Sequence, residues 1–181
     1  DLEPRGFKVL VLPYNKGMSA AEAAAIRRFV AAGGLVIADN DPATYSQHGR
    51  KLKEPALADL FPVTDRMHTQ AHGRGQAVYL PNVINGYTSR LEKDDYTGAE
   101  VVQALLARYA DERPANQLLG PGGQPQYDTL TRSFRHGKTT LLGLLRAQTP
   151  AAEKPVAAVL KLGEKQHAWD LRQGKYLGYI D

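Results

Sequence analysis

A strand, a capped helix and a second strand follow one another between Lys8 and Asp39, and that order constrains the fold more than anything else in the chain. "KVLVLP" (8–13) is a short apolar run suited to a strand buried on both faces, ended by Pro13. "SAAE" (19–22) is a capping box, with Ser19 accepting from the first helical turn and Glu22 reaching back to it. Ala23, Ile26, Phe29 and Val30 then line one helical stripe, and Gly33-Gly34 supplies a left-handed stop. "LVIAD" (35–39) is a second buried strand. Together they form a βαβ unit, which demands a parallel pair and a right-handed crossover.

Downstream, Asn40 to about Gly73 is irregular, with "PALADLF" predicted as a short helix and "GQAVYLP" (75–81) as a third strand. A second capping box, "TGAE" (97–100), opens a helix that carries Val101, Leu105, Leu106 and Tyr109 towards a core. "ERPANQLLGPGGQPQYD" (112–128) is rich in Pro, Gly and Gln, the composition of a boundary or long loop. Beyond it the periodicity becomes strand-like. "TLTRSFRHGKTTLLGLL" suggests two strands about His136-Gly137, "PVAAVLKL" another, and "HAWDLRQGKYLGYI" a hairpin turning at Gln173-Gly174. The expected organisation is an α/β domain over 1–114, a linker over 115–128 and a β-rich module over 129–181, a partial sandwich. The fold class is α/β: an incomplete doubly wound sheet, flavodoxin-like or class I amidotransferase-like, followed by a small all-β module. Three strands and two helices cannot cover both faces of such a sheet, so further strands upstream or a partner are expected.

The opening "DLEPRGFKVLVLPY" lacks the charged-then-apolar pattern of a signal peptide and reads as the middle of a longer chain, truncated at its N-terminus. Location is therefore left open, cytoplasmic or exported, with a bacterial source expected. At 43% hydrophobic and 23% charged, the composition is that of globular protein. No apolar run approaches the ~20 residues that span a bilayer, so no membrane partner is expected. The absence of cysteine excludes disulfides, thiolate metal sites and a Cys nucleophile. Residues 112–181 carry ten Lys/Arg against six Asp/Glu, whereas 1–111 balance at thirteen each. Arg132, Arg135, Lys138, Lys161, Lys165 and Lys175 are scattered among strand and turn residues rather than interleaved with aromatics, so nucleic acid is not the expected partner.

Candidate chemistry concentrates at the end of the second strand, where α/β proteins place catalytic groups. Asp39-Asn40-Asp41 resembles the Asp-x-Asp of haloacid-dehalogenase-type phosphatases, which would make Asp39 and Asp41 metal ligands. That family wants a small β-branched residue where Ala43 stands and puts the motif on its first strand; Lys93, Asp94 and Asp95 are conceivable downstream partners, but nothing in the sequence fixes them nearby. Turn and cap chemistry before Pro42 is the plainer account. His48, His68, His72, His136 and His167 have no HExxH-type context, and His68 and His72 fall in what reads as loop. Ser19 is a cap, and Ser46, Ser89 and Ser133 lack a nucleophile elbow. "HGRGQAVYL" precedes a strand and lacks the third glycine of a dinucleotide cradle, so no cofactor is indicated. Trp169, Tyr176 and Tyr179 could form a sugar-stacking platform. Strict alternation, however, puts Tyr176 and Tyr179 on opposite faces and pairs Trp169 with Leu171 in a core.

The segment "FKVLVLPYNKGMSAAEAAAIRRFVAAGGLVIAD", with the acidic Tyr-containing loop after it, "LADLFPV" and "HGRGQAVYL", resembles the glutamine amidotransferase-like domains of multidomain glycoside hydrolases, the β-galactosidase trimerisation type. The resemblance covers residues 7–110, and "HAWDLRQGKYLGYID" is similar to a hairpin of a β-sandwich module appended to such domains. In class I amidotransferases the strand after the capped helix leads to an elbow bearing a catalytic Cys. Here that nucleophile position is vacated and held by Asp39 and Asn40, so the resemblance does not carry the reaction over. The family's glycosidase carboxylates lie in a barrel domain, for which this chain has no room, and it offers no catalytic carboxylate pair.

These readings converge on a non-catalytic accessory or assembly domain of a larger carbohydrate-active, glycoside hydrolase-like protein, with neighbouring domains or sister subunits as partners and oligomerisation open. The alternatives are a metal-dependent hydrolase using Asp39 and Asp41, and a carbohydrate-binding module using Trp169, Tyr176 and Tyr179.

Overall fold

A computed structural model of the chain describes residues 6–62, 64–110, 116–147 and 155–180. The opening "DLEPR", Val63 of "LADLFPV", the expected boundary at Pro114-Ala115 and Asp181 lie outside the described residues. The elements run β1 (Val9–Pro13), β2 (Gly17–Met18), α1 (Ala20–Ala31), β3 (Leu35–Asp39), β4 (Tyr45–Ser46), β5 (His68–His72), β6 (Gly75–Leu80), α2 (Tyr87–Leu91) and α3 (Thr97–Leu105). A π-helical turn, Leu106–Ala110, extends α3. Then follow β7 (Gln117–Leu119), β8 (Thr129–His136), β9 (Thr139–Arg146), β10 (Val159–Lys161), β11 (Gln166–Asp170) and β12 (Lys175–Ile180). Two compact units result, Asp1–Arg90 with Thr97–Glu112 and Leu91–Tyr96 with Arg113–Asp181.

The first unit is built on a four-stranded sheet of order β1-β3-β6-β5. β1, β3 and β6 are parallel, in register from Val9↔Leu35↔Gln76 to Pro13↔Asp39↔Leu80, and β5 pairs antiparallel with β6. All five residues of β3 are buried, as a central parallel strand with covered faces requires. Val36 and Ala38 point to a cluster with Ala23, Ile26, Phe29 and Val30 of α1, while Leu35 and Ile37 meet Leu105 and the partly buried Val101, Leu106 and Tyr109. Each fully buried aliphatic side chain contributes about 1.5–3 kcal/mol. One helix thus covers each face, and the fourth strand supplies an edge that the sequence did not announce. β5 replaces the loop expected around His68 and His72; an edge strand needs no apolar face, so its pattern is weak.

Local signals set α1 as expected. The Glu22 amide donates to Ser19 Oγ at 3.1 Å, and the Ser19 amide donates to Glu22 Oε2 at 2.8 Å. At the other end Gly33, with φ of 115°, donates to Val30 O and Gly34 donates to Phe29 O, a Schellman stop. The residual carbonyls of α1 are used by the β5–β6 hairpin: Ala31 O accepts from the Arg74 amide and Ala32 O from the Arg74 guanidinium. This is the purpose of "HGRG": Gly73 and Gly75 bring backbone directly against the end of α1. "PALADLF" forms successive tight turns instead of a helix, closed by Ala58, Leu60 and Phe61 amides, and buries Leu57, Leu60 and Phe61. Arg27 of α1 grips it bidentately, reaching Asp59 at 2.7 and 2.8 Å and Ala56 O at 2.6 Å.

The second unit consists of three antiparallel pairs: β7 with β10, β8 with β9, and β11 with β12. β7 arises within the Pro/Gly/Gln-rich stretch, and "PVAAVLKL" contributes only the three residues of β10. Of the hydrophobic side chains described here, Leu162 is the one that is buried. Its strongest polar anchor is Asp128, buried, accepting from Gln126 Nε2 at 2.6 Å, Arg146 Nε at 2.7 Å and Thr129 Oγ1 at 2.9 Å.

Two outcomes follow. A Cβ on Gly75 would overlap the backbone oxygens of Val30 and Gly34. Gly75→Ala is therefore expected to lower stability by about 2–3 kcal/mol in urea unfolding, through displacement of β6 from α1. For Asp128, burial disfavours the charged form, but the bonds from Gln126, Arg146 and Thr129 outweigh it and hold the carboxyl below its usual range. Its contribution is complete above the ordinary carboxylate pKa of about 4 and is lost as pH falls through the lower folded value. Asp128→Asn should flatten that acid limb of the melting temperature while lowering stability at neutral pH.

Candidate functional site

The three parallel strands end together, and each turns away through a left-handed residue that is not glycine: Tyr14 after β1, Asn40 after β3 and Asn82 after β6. Asp41 and Ala43 share that conformation, giving φ of 55°, 45° and 57° at Asn40, Asp41 and Ala43. Such residues cost of order 1–3 kcal/mol each and persist where surrounding bonds over-determine them. Here the loop is tied to the β1–α1 connection. Ala43 donates to Asn15 O and Tyr45 to Lys16 O, both at 2.8 Å, and β2 pairs with β4. Ala43 is buried in the α1-side core.

Asp39 is wholly buried, and both its carboxylate oxygens accept from backbone. Val83 N donates to Oδ1 at 2.8 Å, while Ile84 N and Asn85 N donate to Oδ2 at 2.7 and 2.5 Å. Three consecutive amides converging on one anion form a nest, the arrangement that elsewhere holds phosphate or a developing oxyanion. The opposite polarity of the same loop is met by Arg90, which donates to the carbonyls of Asn82, Val83 and Asn85. A carboxylate and a guanidinium thus clamp residues 82–85 from their N–H and C=O sides.

Both carboxylate oxygens of Asp39 are thus engaged by backbone amides. Asn40 has the positive φ of a nucleophile elbow, but Pro42 and β4 follow it instead of a helix. The Asp41 carboxylate is 3.7 Å from Lys16 Nζ, and Lys16 also lies over the Tyr14 ring. The neighbouring Tyr79 phenol is raised in pKa by burial first and by the Asp41 charge second. At Asp39 a metal ion would have to share the carboxylate with three backbone amides. Lys93, Asp94 and Asp95 belong to the other compact unit. Among the described residues no three His, Asp or Glu side chains gather as a metal site. His68 and His72 occupy the two ends of β5, about 13 Å apart at strand rise, and His136 ends β8. His48 is bonded to Gln47 at 2.9 Å. Among the described residues no helix is long and apolar enough to cross a membrane.

A second cluster emerges on the β11–β12 hairpin. His167, Trp169, Tyr176 and Tyr179 are all exposed, with ring centroids 5.0 Å apart for His167–Tyr179 and for Trp169–Tyr176. His167 Nδ1 and the Tyr176 hydroxyl are hydrogen-bonded at 2.6 Å. This corrects the expectation from strict alternation. The register runs Trp169↔Tyr176 but Ala168↔Gly178, so Leu177 is an extra residue in a β-bulge. The bulge, with Gly178 at φ of 116°, returns Tyr179 to the face of Tyr176. Trp169 and Leu171 form no core pair, since both are exposed.

Elsewhere in this unit a shallow cavity of about 340 Å³ is lined by Leu118, Leu144, Val156 and Leu160, with Gln126 and Arg146 at its polar side. Its guanidinium is already engaged by Asp128.

The architecture so described, a small parallel-containing α/β sheet accompanied by separate antiparallel pairs, has counterparts among solved glycoside hydrolases. Gan42B, a GH42 beta-galactosidase, superposes with a TM-score of 0.65, and its catalytic mutant from G. stearothermophilus with 0.64. Both are 16% identical to this chain; the match covers 95% of it and 30% of theirs, so the chain spans about a third of those proteins. No family model matches, and no curated protein matches.

Asp39→Asn replaces one acceptor oxygen by an amino group facing backbone donors. It should cost about 2–4 kcal/mol in denaturant unfolding and abolish hydrogen-exchange protection at Val83, Ile84 and Asn85 while α1 stays protected.

Proposed function

We propose that this chain is a non-catalytic accessory or assembly domain of a larger carbohydrate-active protein related to glycoside hydrolases. The observation that carries the reading is that, among the described residues of the second unit, Leu162 is the one buried hydrophobic side chain. Leu130 faces Leu145 and Phe134 faces Leu141 across the β8–β9 hairpin, and all four are exposed. A two-stranded ribbon is marginal by itself and is stabilised when such a face is covered. Arg132 lies on this apolar face and Arg135 on the other, so the basic residues do not form a single polyanion surface.

Neighbouring domains of a longer chain or sister subunits are the partners that suit this face. The α/β unit is read, in keeping with this, as an incomplete doubly wound sheet of amidotransferase-like type whose nucleophile place is taken by Asp39 and Asn40. The closed Asp39 nest supports a structural role for that strand end. The fold shared with part of the beta-galactosidase Gan42B, seen in two structures, supports the carbohydrate-active context.

The chain alone is expected to release no nitrophenol from aryl β-galactosides, and to self-associate or bind an apolar dye through β8–β9. Phe134→Ser with Leu145→Ser should remove that association without changing the far-ultraviolet spectrum. Turnover that disappears in Asp39→Asn would replace the accessory reading with an enzymatic one.

A further inference from the structure

We propose that His167, Trp169, Tyr176 and Tyr179 form a binding platform for a neutral, β-linked oligosaccharide. The proposal rests on the hairpin's geometry; only the choice of sugar as ligand leans on the accessory reading above. Alternation in β11, and in β12 beyond the bulge at Leu177, sets two faces apart. Gln166, Ala168, Asp170, Gly178 and Ile180 are half-buried on one, whereas the four ring-bearing residues are exposed on the other. The rings therefore do not pack a core in this chain; they are held outward, side by side.

Their arrangement suits a sugar better than a protein surface. Trp169, Tyr176 and Tyr179 are 57%, 48% and 62% exposed, so the three offer roughly 300–400 Å² of ring surface, well under the ~800 Å² per partner of a stable protein interface. None of the four is a carboxylate, lysine or arginine, so the complementary ligand is uncharged. Ring faces meet the C–H face of a pyranose, while hydroxyl, imidazole and indole N–H groups at the edges can bond its hydroxyls. Neighbouring centroids lie 5.0 to 6.1 Å apart and their planes are inclined by 34° to 49°. That is a stepped surface, matching successive sugar rings that are rotated about their linkage. The His167–Tyr176 bond fixes two of the four rings before any ligand arrives, which reduces the ordering cost of binding.

Trp169 is the sole tryptophan, so tryptophan emission, excited where the nine tyrosines do not absorb, reports on this surface. Titrating the 181-residue chain with β-1,4-galactobiose, cellobiose and xylobiose should produce a saturable blue shift with at least one of them. Calorimetry should give the same midpoint. Trp169→Ala should abolish the heat, Tyr179→Ala should weaken binding about tenfold, and Tyr176→Phe, which keeps the ring and loses the bond to His167, should weaken it a few-fold. Val159→Ser, in β10, should leave it unchanged. An unaltered spectrum and no heat across the panel would overturn the proposal. So would light scattering in which Trp169→Ala dissolves a dimer of the wild-type chain, since the platform would then be a protein interface. Neither result touches the accessory reading, whose test is the β8–β9 face.

Discussion

The buried carboxylate of Asp39 organises the edge of the α/β unit at which its parallel strands end. It lies at the end of the most enclosed strand and takes three consecutive amides from the loop after β6. Without that anion, the amides of Val83, Ile84 and Asn85 would be desolvated donors at an edge where β1, β3 and β6 all terminate. Arg90 completes the arrangement by satisfying the carbonyls of the same loop. An edge that can host chemistry in other α/β proteins is here occupied by the protein's own charges. A nest that could cradle a substrate oxyanion already contains one.

The two units differ in how they are stabilised. The first buries continuous apolar clusters on both faces of its sheet and adds a capped helix whose spare carbonyls are taken up by the β5–β6 hairpin. The second relies on ladder hydrogen bonds and the Asp128 network, and leaves most of its hydrophobic side chains exposed. Hydrophobic burial is the dominant favourable term in folding, so the two units draw on different sources of stability. The first unit buries its apolar side chains on both faces of the sheet; the second leaves aliphatic and aromatic side chains in contact with solvent. Its surfaces differ in kind, one aliphatic on β8–β9 and one aromatic with polar edges on β11–β12.

Much of the first unit was legible because its signals are local. Ser19 with Glu22, the Gly33-Gly34 stop and the unbroken apolar run of β3 each act within a few residues. Helix α3 was legible for the same reason, through the spacing of Val101, Leu105 and Leu106. β5 was not, because an edge strand draws its stability from the ladder to β6 and shows no periodic apolar face. The "PALADLF" turns were misread because burial of Leu57, Leu60 and Phe61 against α1 decides their path, rather than helix propensity. The sequence offered Trp169, Tyr176 and Tyr179 as a group, but strict alternation denied them a shared face, an error of one residue. Alternation assumes equal steps on both strands, and the bulge at Leu177 breaks that assumption without leaving a distinctive pattern beyond Gly178.

By itself, the sequence determined the βαβ unit, its boundaries and the acid at the strand's end, because caps, glycines and hydrophobic runs act on their immediate neighbours. It also excluded thiol chemistry outright, since it contains no cysteine. Only the tertiary structure decided what that acid does. Asp39 meets amides more than forty positions away, and no local rule can specify a bond closed by the folding of an entire sheet. The same holds for the four exposed rings of β11–β12. Their shared face depends on strand register, and register is fixed by how two strands pair rather than by the order of residues within either one.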